Sequence, residues 1–283
     1  MAAVTGPQLG SEPPNRRRWW LAGVVAGWIV VLAALGTWSV WHSPATVPEQ
    51  RDVASVVPEL QRAAGVVYAA ADGAGRAVVL GELELIAGCR ITPVRHGLVV
   101  ARDLTVYVAE GDAEAALDGI AEALPEGYRA EVAVTRGGTR VGLHADAGNF
   151  IGIDSSAAAV AKVVTLRLTS GCRPGAESTA GTSDPAAGAV PGELGAVVRG
   201  LGGQGGAAPE VRAVACPDGG VAGSYTVDVD TPADLDARMR ALTKGADVVR
   251  SDAAAWAYRK GVDSVVVTPD GKRVRVSVAT GCQ

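Results

Sequence analysis

Residues 163–172, VVTLRLTSGC, and residues 274–282, VRVSVATGC, share one ending, Gly-Cys after alternating apolar and polar side chains. Alternation with period two marks a half-buried strand. The resemblance extends upstream of both. Residues 55–67, SVVPELQRAAGVV, and 189–201, AVPGELGAVVRGL, have helical spacing. Val56, Val57, Leu60, Ala64 and Val67 form one stripe, and Leu194, Val197, Val198 and Leu201 the other. Pro58 and Pro191 are expected in the first helical turn, where a missing N–H costs little.

A strand running to a cysteine comes next in each copy: AVVLGELELIAGC at 77–89 and the shorter VRAVAC at 211–216. In the first, strict alternation puts Val79, Leu83 and Leu85 on one face and Glu82 and Glu84 on the other. A second strand follows, DLTVYVAEGD at 103–112 and SYTVDVDTPAD at 224–234, in which Leu104, Val106 and Val108 match Tyr225, Val227 and Val229. Each runs into a helix. Asp112 is placed to cap one, with Ala116, Leu117, Ile120 and Leu124 as its stripe. Thr231-Pro232 is placed to open the other, with Leu235, Met239 and Leu242. Further strands close each copy, and Thr268-Pro269-Asp270-Gly271 signals a turn before the last.

The expected fold is therefore α+β, with two tandem repeats, each a mainly antiparallel sheet carrying helices on one face. Repeat 1 covers 53–172 and repeat 2 covers 189–283. Residues 173–188, RPGAESTAGTSDPAAG, read as a flexible linker. Each copy is long enough to fold by itself.

Ahead of the repeats, residues 19–41 contain no charged side chain. At ~1.5 Å per residue such a helix is about 34 Å long, enough to cross a hydrocarbon core of ~30 Å. Trp19 and Trp20 lie at one end, Trp38 and Trp41 at the other, where indoles favour the headgroup level. Arg16, Arg17 and Arg18 precede it, and no Lys or Arg follows until Arg51. The positive-inside rule then makes 1–18 a short cytoplasmic tail, 19–41 a transmembrane helix and 42–52 an external tether. The alternative is a cleaved signal peptide with Ser43-Pro44-Ala45 as its site, although signal-peptide apolar regions run only ~7–15 residues. Gly23 and Gly27 have the small-xxx-small spacing that would support a weak homodimer.

The 283 residues are 48% hydrophobic and 20% charged with net charge −4, which provides a core and argues against a nucleic-acid partner. Four cysteines outside the cytoplasm imply two bridges, and spacing alone does not choose among three connectivities. If the repeats fold alike, the pairs are Cys89–Cys172 and Cys216–Cys282. Four buried thiols are the alternative.

Catalytic signals are few. His96 sits beside Arg95 in an expected turn, and His144 lies two residues before Asp146, a pair that would need a nucleophile or metal to act. Glu82 with Glu84, and Asp228 with Asp230, alternate on strands as solvated faces do. Asp146 near Asp154 is a third acidic pair. GLGGQGG at 200–206 resembles a phosphate loop in composition only. Trp256 and Tyr258 are the one aromatic concentration outside the apolar helix, either a core plug or an exposed binding patch. No cofactor or metal site is expected. The functional expectation is a membrane-anchored binding, interaction or sensing module of a bacterial cell envelope, with lipid and an envelope protein as partners. The alternatives are a tethered envelope hydrolase and a structural spacer or assembly factor.

Overall fold

The computed structural model describes residues 16–42, 51–93, 95–175, 183–203 and 208–282. They fall into two compact units, Met1–Thr46 and Val47–Gln283.

The first unit is the helix α1 (Arg16–His42). Its stretch Trp19–Ser39 has mean hydropathy 2.0 and no burial within the protein, so its apolar side chains are left for a nonpolar surrounding. It is a candidate membrane span by length and composition.

The second unit is one plan used twice. Repeat 1 runs α2 (Val53–Ala71), β1 (Ala77–Thr92), β2 (Arg95–Tyr107), α3 (Ala113–Ala123), β3 (Glu131–Thr135), β4 (Arg140–Asp146), β5 (Gly152–Ala158) and β6 (Val163–Arg173). Repeat 2 runs α4 (Gly192–Gly200), β7 (Glu210–Ala215), β8 (Val221–Asp230), α5 (Leu235–Leu242), β9 (Asp247–Asp252), β10 (Ala255–Lys260), β11 (Asp263–Asp270) and β12 (Arg273–Ala279). The strand orders are β1-β2-β6-β5-β4-β3 and β7-β8-β12-β11-β10-β9, identical position for position, and every neighbouring pair is antiparallel.

Helices cover one face of each sheet. Leu60, Ala64 and Val67 of α2 and Leu117 and Ile120 of α3 pack on Leu104, Val106, Leu143, Ile153, Leu166 and Leu168. In repeat 2, Leu194 and Val197 of α4 and Met239 of α5 pack on Tyr225, Trp256, Tyr258 and the valines of β11 and β12.

The structure corrects several local expectations. Val79 does not share a face with Leu83 and Leu85. A β-bulge between Leu80 and Leu83 shifts the phase of β1 by one residue. Before it, Val78 and Leu80 face the helices while Ala77 and Val79 face repeat 2; after it, Leu83 and Leu85 turn to the helix side. Helix α2 starts at Val53, so Pro58 is inside it; Asp52 caps it by accepting from Ala54 N at 2.9 Å. Asp112 is the N-cap of α3 without a side-chain cap bond. Helix α5 starts at Leu235, past Thr231-Pro232, and the carboxylate of its N-cap Asp234 is taken by Arg238 at 2.6 Å. Strands β1 and β2 extend past Cys89, so His96 is in β2, opposite Arg90.

The repeats are packed together, which an independent-folding expectation does not include. Val214, Cys216, Ala222 and Ala279 of repeat 2 belong to the core formed by α2 and the first sheet. The helix-free face of the second sheet, through Val249, Ala257 and Val266, packs on Ala77, Val79 and Tyr107. Gly65 marks the closest approach: a Cβ on it would lie 1.9 Å from the Ala215 carbonyl oxygen. Glycine is required there because two backbones meet.

Candidate functional site

Cys89 is bonded to Cys172 and Cys216 to Cys282, with Cα–Cα distances of 5.8 and 5.6 Å. Each bridge joins the two strands that flank the second strand of its repeat. Gly97, the register partner of Cys89, lets the backbone of β6 approach closely: a Cβ there would lie 2.3 Å from the Arg173 carbonyl oxygen.

Several polar contacts join repeat 1 to repeat 2, and three of them are largely shielded from solvent. Arg102, in β2, is fully buried. Its guanidinium donates to both oxygens of Asp184, at 3.0 and 2.8 Å, and to the carbonyls of Gly81 and Ala213. Asp184 also accepts from Ala213 N at 2.8 Å. A residue of the expected linker thus joins β2 of one repeat to β7 of the other. Elsewhere Asp72, the C-cap of α2, pairs with Arg259 of β10. Beside it the Tyr68 hydroxyl donates to Thr280 O at 2.8 Å. Burial pushes the Tyr68 phenol up, and the neighbouring Asp72 carboxylate adds to it. Asp263 is also raised, by burial first and then by Glu193. Sequence reasoning missed Arg102 and Asp184. An arginine beside an aspartate in a strand looks solvated, and Asp184 sits in a stretch with no periodicity.

The helix-free face of the first sheet carries the candidate His144. Strand register aligns Asp103, Arg167, Asp154, His144 and Glu131 in one row across β2, β6, β5, β4 and β3. Arg167 binds Asp103 at 2.9 Å and Glu84 at 3.2 Å. His144 Nδ1 lies 2.8 Å from Asp154, not Asp146, because residues directly opposite on adjacent strands meet. Asp146 instead pairs with Arg129 and accepts from Gly148 N. Both His144 and Asp154 are exposed, which is the setting of a surface pair. Glu82 pairs with Arg212 of β7, and Asp228 with Arg275.

Trp256 and Tyr258 are core residues, 7% and 0% exposed, and do not form a protruding patch. They face α4 and α5 because a sheet with few large side chains needs bulk under its helices. Trp256 also borders a shallow cleft of about 460 Å³ with Asp236, Arg240, Ser251 and Asp252. The Arg250 guanidinium holds the Asp252 carboxyl well below the usual carboxylate range. A second cleft, about 580 Å³, lies among Gly203, Asp228, Asp230, Arg238 and Arg273; residues 204–206 of GLGGQGG lie outside the described residues. Its arginines are committed, Arg238 to Asp234 and Gly200 O, Arg273 to Asp228 O. Among the described residues, no group of three or more His, Cys, Asp or Glu is placed to hold a metal ion. Arg16–Arg18 fall in the first turn of α1, and a Cβ on Gly23 or Gly27 would meet nothing within 4 Å.

No family model matches the chain. No curated protein matches it either. Among solved structures it is similar to a DUF4853 family protein from Actinomyces odontolyticus, at 15% identity and TM-score 0.33, over 62% of this chain and 91% of that one. The apolar helix at the N-terminal side and the two disulfides fit a membrane-anchored extracytoplasmic domain.

Proposed function

We propose that this chain is a single-pass, membrane-anchored protein of a bacterial cell envelope whose external domain binds or senses a partner without catalysis. The observation that carries the reading is the pairing of one unburied apolar helix with two disulfides that staple each repeat internally. Such bridges persist in oxidising compartments, and the apolar helix supplies the anchor. In this reading 1–18 is cytoplasmic, 19–41 spans the membrane, 42–52 is the tether, 53–172 and 189–283 are the external repeats, and 173–188 connects them. Partners are lipid around 19–41 and a protein of the envelope, with a weak homodimer through Gly23 and Gly27. The exposed His144–Asp154 pair, set in a row of ion-paired side chains, supports recognition over hydrolysis. Protease added to intact spheroplasts is expected to digest residues 42–283. Their protection, with the N-terminal tail digested instead, would overturn the orientation.

A further inference from the structure

Phe150 is the chain's single phenylalanine, and it is 52% exposed. It stands in the turn between β4 and β5, where Asn149 and Phe150 both have positive φ, 51° and 59°. Two consecutive side chains in the left-handed region are unfavourable, so surrounding contacts must impose the shape. They do so from several sides. Asp146 accepts from Gly148 N at 2.8 Å, Asn149 Nδ2 donates to Glu59 at 2.8 Å, and the buried Arg173 donates to Asn149 O. Contacts on several sides thereby fix the shape of the turn while about half of its aromatic side chain is exposed.

The same turn in repeat 2 joins β10 to β11 through Gly261 and Val262. It lies at the end of the repeat that packs on the C-terminal end of α2, where Arg259 meets Asp72 and Thr280 meets Tyr68. In repeat 2, then, the disulfide-bearing end is an interface. Among the described residues, the equivalent end of repeat 1 is not packed on repeat 2, and it carries Phe150, the exposed Ile86 and the β1–β2 hairpin. Arg90, Arg95 and His96 on that hairpin are exposed, as is Arg51. Among the described residues, Glu59 is engaged with Asn149, Asp146 with Gly148 N and Arg129, and Asp52 with Ala54 N.

The chain arriving from α1 enters here, since Val53 N donates to Pro174 O at 2.8 Å. Between His42 and Arg51 lie only residues 43–50, which reach at most about 29 Å at full extension. We propose that this end of repeat 1 is a lipid-contacting surface, with Phe150 entering the headgroup region of an anionic bilayer and Arg51, Arg90 and Arg95 around it. An apolar ring such as Phe buries at the boundary of headgroups and acyl chains, and nearby arginines are attracted to anionic lipid. The proposal rests on the reading of α1 as a membrane anchor.

The test uses the full chain in nanodiscs of phosphatidylcholine with or without phosphatidylglycerol. A photoreactive benzoylphenylalanine replaces Phe150, and in a control replaces Val160, which is 69% exposed in the β5–β6 turn at the opposite end of the sheet. Retention in the disc after alkaline wash reports the anchor separately. With the anchor retained, lipid adducts at 150 should exceed those at 160 several-fold, rise with phosphatidylglycerol and fall in high salt. Arg90→Glu with Arg95→Glu should lower them. Equal adducts at both positions overturn the proposal, as does an intermolecular adduct from 150 to a peptide of this same chain, which would mean that a second copy covers this end.

Discussion

Arg102 contributes to the stability of the molecule through what its removal leaves behind. Its guanidinium is fully buried and satisfies two Asp184 oxygens and two carbonyls from different repeats. Replacing both partners with apolar groups can be nearly neutral, but removing one strands a buried charge. Asp184, left without its cation, is partly exposed and keeps Ala213 N, so Arg102→Ala should cost about 1.5–3 kcal/mol by denaturant titration. The double variant Arg102→Met with Asp184→Leu should recover part of that loss. Gly65→Ala offers a second check at this scale. Its methyl group would sit 1.9 Å from Ala215 O, and backbone cannot turn aside as a side chain can. Helix propensity favours alanine by up to ~1 kcal/mol, yet the clash should prevail and the variant should melt lower. Neither effect was legible in the chain, since both depend on partners far away in sequence.

At the scale of elements the sequence was more informative, and the reasons are physical. Periodicity reports which face of a segment is buried, so Leu60, Leu117, Leu166 and Val276 marked core-facing elements that the structure contains. Cysteine position within a repeated plan reports pairing only if the copies fold alike, and the identical strand orders supply that condition. What periodicity does not reveal is a phase change. The bulge after Leu80 turned Val79 toward repeat 2, and nothing local but Gly81 hinted at it. Caps were ambiguous for a related reason: an aspartate beside a helix can cap it or take an arginine, as Asp234 does. Removing a bridge is the test at this scale. The sequence separations are 83 for Cys89–Cys172 and 66 for Cys216–Cys282. In the chain-entropy model each loop closure contributes roughly 4–5 kcal/mol. Cys216→Ser with Cys282→Ser should lower stability by an amount of that order and reduce the folded protein recovered from the envelope.

The two repeats should unfold as one unit, because they share a core and polar contacts that are largely shielded from solvent. Calorimetry of the intact chain should show a single transition for residues 53–282. Two separated transitions would mean that the interface is weak. Acid should weaken the fold with a definite sign. Asp252 and Asp234, paired with Arg250 and Arg238, have folded pKa values below the unfolded ~3.9. Their contribution is complete above that value and is lost as pH falls through the folded values. Asp263 is raised, so its contribution is present at low pH and is lost as pH rises through its folded value. Two depressed groups against one raised should lower Tm below pH ~4, and Asp252→Asn should flatten the decline.

The most direct test of the account is the state of the four cysteines in living cells. Cells are quenched with a membrane-permeant thiol alkylator, the protein is extracted from the membrane fraction, and its peptides are mapped without reduction. Peptides joining Cys89 to Cys172 and Cys216 to Cys282, with no alkylated cysteine, are the predicted result. Alkylation at these positions would contradict an external, oxidised domain. Bridges from Cys89 to Cys216 or Cys282 would contradict the repeated plan itself.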